Sequence, residues 1–210
     1  HLIATSAARD AKNGEAFCDL VMSLTGLPLH IISGREEARL SFLGAAGNGY
    51  CGMVDIGGGS TELAVSGGGR PLQAASAQLG AVRLLGEMPD LSGEGFEEAL
   101  GLAVARVREI WEPMAVREAP GAWYGVGGTL TCLASLDMRL PRFDREAIHG
   151  HALKKSAVFR WAKELCGMTL GERAALPGML PQRVDIIAHG AVILLGVMEA
   201  LALSRIIVSN

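Results

Sequence analysis

An excess of charge of either sign is missing from this 210-residue sequence: 19 Lys and Arg stand against 22 Asp and Glu, a net charge of −3. Such a chain has no global attraction for nucleic acid or acidic membranes, so any anion it binds must be held by local chemistry. Cysteine is scarce too. The four present, Cys18, Cys51, Cys132 and Cys166, include no CxxC pair, which speaks against a zinc ribbon or a dense disulfide framework and for a reducing compartment, the cytoplasm. The most apolar stretch, 186–208, approaches the roughly 20 residues of a membrane helix. His189, Glu199, Ser204 and Arg205 interrupt it, so it reads as a buried helix followed by a strand, and no membrane is expected as a partner. Aromatic residues make up only 5% of the chain. Trp111, Trp123 and Trp161 are too scattered for a base-stacking platform, so no nucleic-acid polymer is expected either. A repeat of solenoid length is absent, and no charged segment followed by an apolar core opens the chain, so no signal peptide is expected within it. Both ends, at His1 before Leu2-Ile3-Ala4 and at Ile206-Ile207-Val208, read as cut from a longer protein.

What is present is glycine, 28 of 210 residues, about twice the usual share of about 7%. Half of the residues are hydrophobic, enough for one sizeable domain or two small ones. Strand-like 2–4 leads into a helical pattern over 7–24, interrupted at Asn13-Gly14. A short strand at 29–33 runs into Ser33-Gly34-Arg35-Glu36, a capping-box form that opens a helix to about Gly44. Strands are expected at 50–56, 61–66, 72–79 and 123–126, the first two forming a hairpin. Helices are expected at 80–85, 95–116, 130–136, 152–165 and 184–203. The mixture predicts α/β layers.

The hairpin tip carries the most chemistry. In Asp55-Ile56-Gly57-Gly58-Gly59-Ser60-Thr61-Glu62, consecutive glycines let backbone N–H groups converge on an anion, and Ser60 and Thr61 add hydroxyls. The spacing and lysine of a Walker A loop are absent, and a strand rather than a helix follows, which disfavours a Rossmann turn. Asp55 and Glu62 flank the loop and are candidates to hold a divalent metal beside a bound phosphate. A plain glycine turn with solvated acids is the alternative. Gly127-Gly128-Thr129 precedes a helix and offers a second anion site or simply close packing. Glu36 and Glu37 at a helix start also fit ordinary dipole complementarity, and Arg9 an ordinary surface cation.

Together with Ala4-Thr5-Ser6-Ala7-Ala8-Arg9-Asp10-Ala11, Ser33-Gly34-Arg35-Glu36-Glu37-Ala38-Arg39, Leu79-Gly80-Ala81-Val82-Arg83 and Arg183-Val184-Asp185-Ile186-Ile187, that loop makes the sequence resemble the exopolyphosphatase and guanosine pentaphosphate phosphatase family (Ppx/GppA). The matches occur in family order along nearly the whole chain. The resemblance implies a ribonuclease H-like fold of the actin-like ATPase superfamily, with two lobes and the site in the cleft between them. Residues 1–42 would be the C-terminal part of the first lobe and 43–210 the second. It implies that Glu37 is the catalytic carboxylate that orients or deprotonates water and that Arg9 contacts phosphate. Asp55 and Glu62 would serve Mg2+ or Mn2+, and Gly57, Gly58, Gly59, Ser60, Thr61, Gly127, Gly128 and Thr129 would bind phosphoryl oxygens. The Asp-x-Gly-Ser-Asn loop with which family members usually begin is not found here, nor is the glycine-arginine motif that commonly follows the last strand.

The function expected is hydrolysis of the terminal phosphate of inorganic polyphosphate or guanosine pentaphosphate, with a homodimer implied by the resemblance. A non-catalytic regulatory protein that binds guanosine penta- or tetraphosphate is the alternative. An actin-like kinase is disfavoured, since a carboxylate poised for water suits hydrolysis. His149-Gly150-His151 lacks further ligands for a closed zinc site, His189 reads as a core histidine, and the Lys/Arg excess over 139–163 reads as a solvated face or a guide for a polyanion.

Overall fold

The computed structural model describes residues 1–45 and 49–210. A two-stranded parallel sheet, β1 (Leu2–Ala4) and β2 (Leu29–Ile31), is joined through α1 (Ser6–Asp10) and α2 (Gly14–Thr25). The break expected at Asn13-Gly14 separates these two helices, and α2 ends at Gly26, whose φ of 69° is the left-handed conformation that closes a helix. α3 (Gly34–Ala45) follows. The Ser33 hydroxyl accepts the Glu36 N–H at 3.2 Å, but the Glu36 carboxylate turns to Arg39, so only half of the expected capping box forms.

The main sheet has the order β5-β4-β3-β6-β8-β7. β3 (Cys51–Ile56), β4 (Thr61–Gly67) and β5 (Arg70–Ala77) form an antiparallel meander, β6 (Ala122–Val126) and β8 (Arg205–Val208) extend it in parallel from β3, and β7 (Ala152–Lys154) closes the edge antiparallel to β8. The last strand of the chain thus lies between two earlier ones. Alternation along the strands sends Cys51, Met53 and Ala64 to one face, where they meet Ala38, Phe42 and Ala45 of α3. Val54, Ile56, Leu63 and Val65 face the other way, into the larger core built with α5 (Glu94–Trp111), α6 (Gly128–Asp137), α8 (Lys155–Gly167) and α10 (Ile187–Ala200). α4 (Ala81–Glu87), α7 (Arg145–Ile148) and α9 (Leu170–Ala174) are short connectors.

Element ends differ from expectation where a local cue was missing. The helix expected from 152 begins at Lys155, because residues 152–154 pair with β8 as an edge strand. The long helix expected to reach 116 ends at Trp111, where Pro113 without an N–H favours a 3-10 turn over Glu112–Met114. The helix expected from 184 begins at Ile187, after a 3-10 turn at Pro181–Arg183. The boundary expected after residue 42 falls inside α3, whose buried face packs on the main sheet and ties this helix to the larger unit. Among the described residues no helix is long and apolar enough to cross a membrane.

Candidate phosphate-binding site

The face of the sheet that carries α3 changes character at the ends of β3 and β4. Two positions beyond Met53 and two before Ala64 stand Asp55 and Glu62, directly opposite each other in the antiparallel ladder and so on one face. α3 brings a third carboxylate, Glu37, in its first turn, and Ser41 one turn later on the same side, because burial of Ala38, Phe42 and Ala45 fixes the helix rotation. The Ser41 hydroxyl donates to Asp55 Oδ2 at 2.7 Å, and the Ser76 hydroxyl donates to Glu62 Oε1 at 2.7 Å.

Burial pushes all three acids above their ordinary values. For Glu62 it does so to about 7, against the Ser76 and Ser60 hydroxyls and reinforced by the Glu37 and Asp55 charges. Asp55 is raised by burial with Ser41 opposing, and Glu37 by burial with the Arg9 guanidinium opposing. Glu62 is 1% exposed, and its second oxygen, Oε2, has no protein partner. Arg9 is similarly poised: Nη1 donates to the Ile32 carbonyl at 2.7 Å and lies 3.5 Å from Glu37 Oε2, while Nη2 is buried without an acceptor. A buried guanidinium nitrogen and a buried carboxylate oxygen, each without a partner, mark a place built for something further.

The glycine loop is held from behind by α4. The Gly57 carbonyl accepts the Ala81 N–H at 3.0 Å, and the Gly58 carbonyl accepts those of Val82 and Arg83 at 2.9 and 3.0 Å. The Gly59 carbonyl accepts Arg83 Nε–H at 2.7 Å. The otherwise unpaired donors at the helix start are thereby satisfied. In a trans peptide C=O and N–H point in opposite directions, and no peptide bond here is cis. The N–H groups of Gly58, Gly59 and Ser60 therefore point away from α4. At Gly59 and Gly80 glycine is required by space rather than by φ: a Cβ on Gly59 would strike the Ser6 hydroxyl, and one on Gly80 the Gly58 carbonyl. The side chains beside the loop are engaged elsewhere. Thr61 donates to the Leu79 carbonyl at 2.5 Å and is fully buried, and Ser60 bonds Glu62, so the loop offers backbone rather than hydroxyl donors.

The second glycine turn follows β6, the strand next to β3. Gly127, φ 91°, precedes α6, and a Cβ there would come within 2.9 Å of Asp55 Oδ1. Thr129 is buried against Gly190 of α10, so its hydroxyl faces the core and only its backbone lies at the turn. The Arg183 guanidinium covers Gly128, with Nε buried and unpartnered. A cation lying on the positive end of a helix is unfavourable, and an anion between them would offset the repulsion. Asp55, Gly127, Gly128 and Arg183 line one cleft of about 540 Å³, together with Ser41, Phe143, Arg145, Leu180 and Gln182.

Sequence reasoning assigned no role to Arg183, Ser41 or Ser76, whose partners are distant in the chain. Of the basic run over 139–163, Arg145 reaches the cleft, whereas Lys155, Arg160 and Lys163 pair with Glu199, Asp137 and Glu97. His151 pairs with Asp137, and His149 accepts the Asn210 N–H. His189 is a core residue, its Nε2–H donating to the Met88 carbonyl at 3.0 Å.

Among the described residues, no three His, Cys, Asp or Glu side chains group as ligands for one ion. The pair Asp55 and Glu62, with the free Glu62 Oε2, nevertheless fits a hard divalent cation that takes one or two carboxylates and fills its remaining positions with water and phosphate oxygens.

A sequence profile of the Ppx/GppA phosphatase family matches residues 1–210. The chain belongs to that family. Ppx/GppA proteins of known structure share its fold: an exopolyphosphatase-like protein superposes with a TM-score of 0.88 at 29% identity, covering 99% of this chain and 72% of the other. The Aquifex aeolicus family member superposes at 0.83 and 26% identity, covering 99% and 69%. The α/β sheet described above is accordingly the ribonuclease H-like fold of this family. Exopolyphosphatase 2 of Mycobacterium tuberculosis is 37% identical over 206 residues, and the match spans 91% of this chain but only 64% of that protein's length.

Proposed function

We propose that this Ppx/GppA chain works in a phosphohydrolase that removes the terminal phosphate of inorganic polyphosphate, guanosine pentaphosphate or both. The observation that carries the reading is the convergence of Glu37, Asp55 and Glu62 beside a loop whose Gly58, Gly59 and Ser60 N–H groups are turned outward. The outward N–H groups and Arg9 Nη2 hold the terminal phosphoryl oxygens. Glu37, its affinity for protons raised by burial, accepts the proton of an in-line water. The water oxygen bonds to the terminal phosphorus, the bridging P–O bond breaks, and its electron pair leaves on the shortened substrate. Asp55 and Glu62 would hold a divalent cation such as Mg2+ or Mn2+, which when bound would supply charge neutralisation for the phosphoryl oxygens. Polyphosphate is the preferred substrate in this proposal, the setting is the cytoplasm, the working unit is a homodimer, and the cleft lies between two lobes.

The test is phosphate release with Mg2+ from long-chain polyphosphate and from guanosine pentaphosphate, side by side with Glu37→Gln. Release by the wild type and a loss of about 10²-fold or more in the variant are expected. No release from either substrate, or an equally active variant, overturns the reading. A second reading rests on Phe143 and Leu180 beside Arg145 and Gln182 in the cleft, a mixture that suits a guanosine nucleotide as well as a polyanion. Tight nucleotide binding without turnover would make the protein a sensor instead.

A further inference from the structure

The carbonyls of the glycine loop are held in sequence by α4, but the helix backbone reaches only Gly57 and Gly58. The third carbonyl, that of Gly59, is taken by a side chain, Arg83 Nε–H at 2.7 Å. The same guanidinium extends Nη2 to Asp10 Oδ2 at 2.5 Å, and Asp10 also accepts the Ser6 hydroxyl at 3.2 Å. Ser6 lies against Gly59, and Asp10 follows Arg9 directly on α1. Arg83 is therefore bonded at one end to the loop and at the other to the helix that carries the buried, unsatisfied Arg9 Nη2.

We infer that Arg83 is a positioning residue for phosphate recognition, bracing the Gly59–Ser60 peptide so that the Ser60 N–H faces the ligand and holding α1 so that Arg9 meets the same ligand. This rests on the proposed phosphate site. Arg83 acts through the groups it holds. Its forked donors suit two acceptors set apart in space, which a lysine ammonium cannot span equally well. The nearby charges agree with this role: Arg9 is engaged by Glu37, leaving Asp10 to Arg83.

The experiment titrates this chain with tripolyphosphate and Mg2+ by calorimetry, follows the Ser60 amide resonance by 15N NMR, and records melting temperatures. Arg83→Ala is expected to weaken binding about tenfold or more and to shift the Ser60 resonance in the free protein, in keeping with the loss of charge-assisted hydrogen bonds. Arg83→Lys should recover part of the affinity. Asp10→Ala, a change at a half-exposed side chain, should weaken binding while leaving the free Ser60 resonance in place. The double variant should lose less than the sum of the two single losses, because the residues act as one strut. Unchanged affinity in Asp10→Ala together with either unchanged affinity or an unmoved Ser60 resonance in Arg83→Ala overturns the inference, as does strict additivity. If Arg83→Ala does not fold, Asp10→Ala and Arg83→Lys decide alone, and wild-type affinity in both overturns it. Failure of the wild-type chain to bind tripolyphosphate refutes the phosphate site itself, a separate result.

Discussion

Glu62 shows at the scale of one residue how the site is held in tension. Its folded-state affinity for protons lies near 7 instead of the ordinary 4.5. Below pH 4.5 folded and unfolded chains are both protonated there, and nothing is lost on folding. As pH rises from 4.5 toward 7 the unfolded chain ionises first and the metal-free protein loses stability. Above 7 the full penalty stands, about 3 kcal/mol as an order of magnitude. Glu62→Gln keeps an acceptor for Ser76 and removes the charge. In EDTA it should melt above wild type at pH 8 and with it at pH 4, and a pH-independent difference in thermal denaturation would refute this. The cross-strand partner of Glu62 makes the metal testable: Asp55→Asn should weaken Mn2+ binding about tenfold or more, read by electron paramagnetic resonance. Equal affinity would exclude Asp55 as a ligand. Asp55 and Glu62 stood out in the sequence as acids flanking a glycine loop, whereas Glu37, whose helix-start position also fits ordinary dipole complementarity, was singled out only by the family resemblance. Ser41, Ser76 and Arg183 did not stand out, because Ser41 reaches Asp55 only by the packing of α3 on the sheet, Ser76 reaches Glu62 only through strand register, and Arg183 comes to lie over Gly128 only when the chain returns. The hydroxyls of Thr61 and Thr129 illustrate the reverse: they stand in the motif yet face inward.

Among the elements, α4 and the glycine loop behave as one unit, the helix start capped by the loop and the loop oriented by the helix. Gly80 lies where the two touch, and a methyl group there meets the Gly58 and Gly59 backbone, which cannot yield as a flexible side chain would. Gly80→Ala should therefore lower stability by about 1–3 kcal/mol in urea denaturation and weaken tripolyphosphate binding as well. Gly86, in the same helix with open space around it, is the control, and Gly86→Ala should be neutral or stabilising. The hairpin, α3 and the helix after Gly127 could be read in advance from glycine punctuation and apolar spacing. β7 could not, because three residues with no alternation of their own become a strand only when β8 arrives beside them.

For the whole molecule, burial is uneven along the chain. The main sheet with α5, α6, α8 and α10 forms a deep core, whereas the residues before α3 leave apolar side chains open, among them Leu20, Leu27 and Leu24, the last 76% exposed. This chain alone should bind the dye ANS and self-associate more as salt rises, and a mixed Leu20→Lys, Leu24→Lys variant should suppress both. Unaltered dye fluorescence in that variant would place the sticky surface elsewhere.

The position of β8 has a consequence for synthesis. Because this strand enters between β6 and β7, the ribosome must deliver residue 208 before the two halves of the sheet can be joined. Until then β6 keeps an open edge and β7, among the described residues, has no strand to pair with. A nascent chain that has not yet reached residue 208 therefore carries an unfinished sheet, a state exposed to edge-to-edge association.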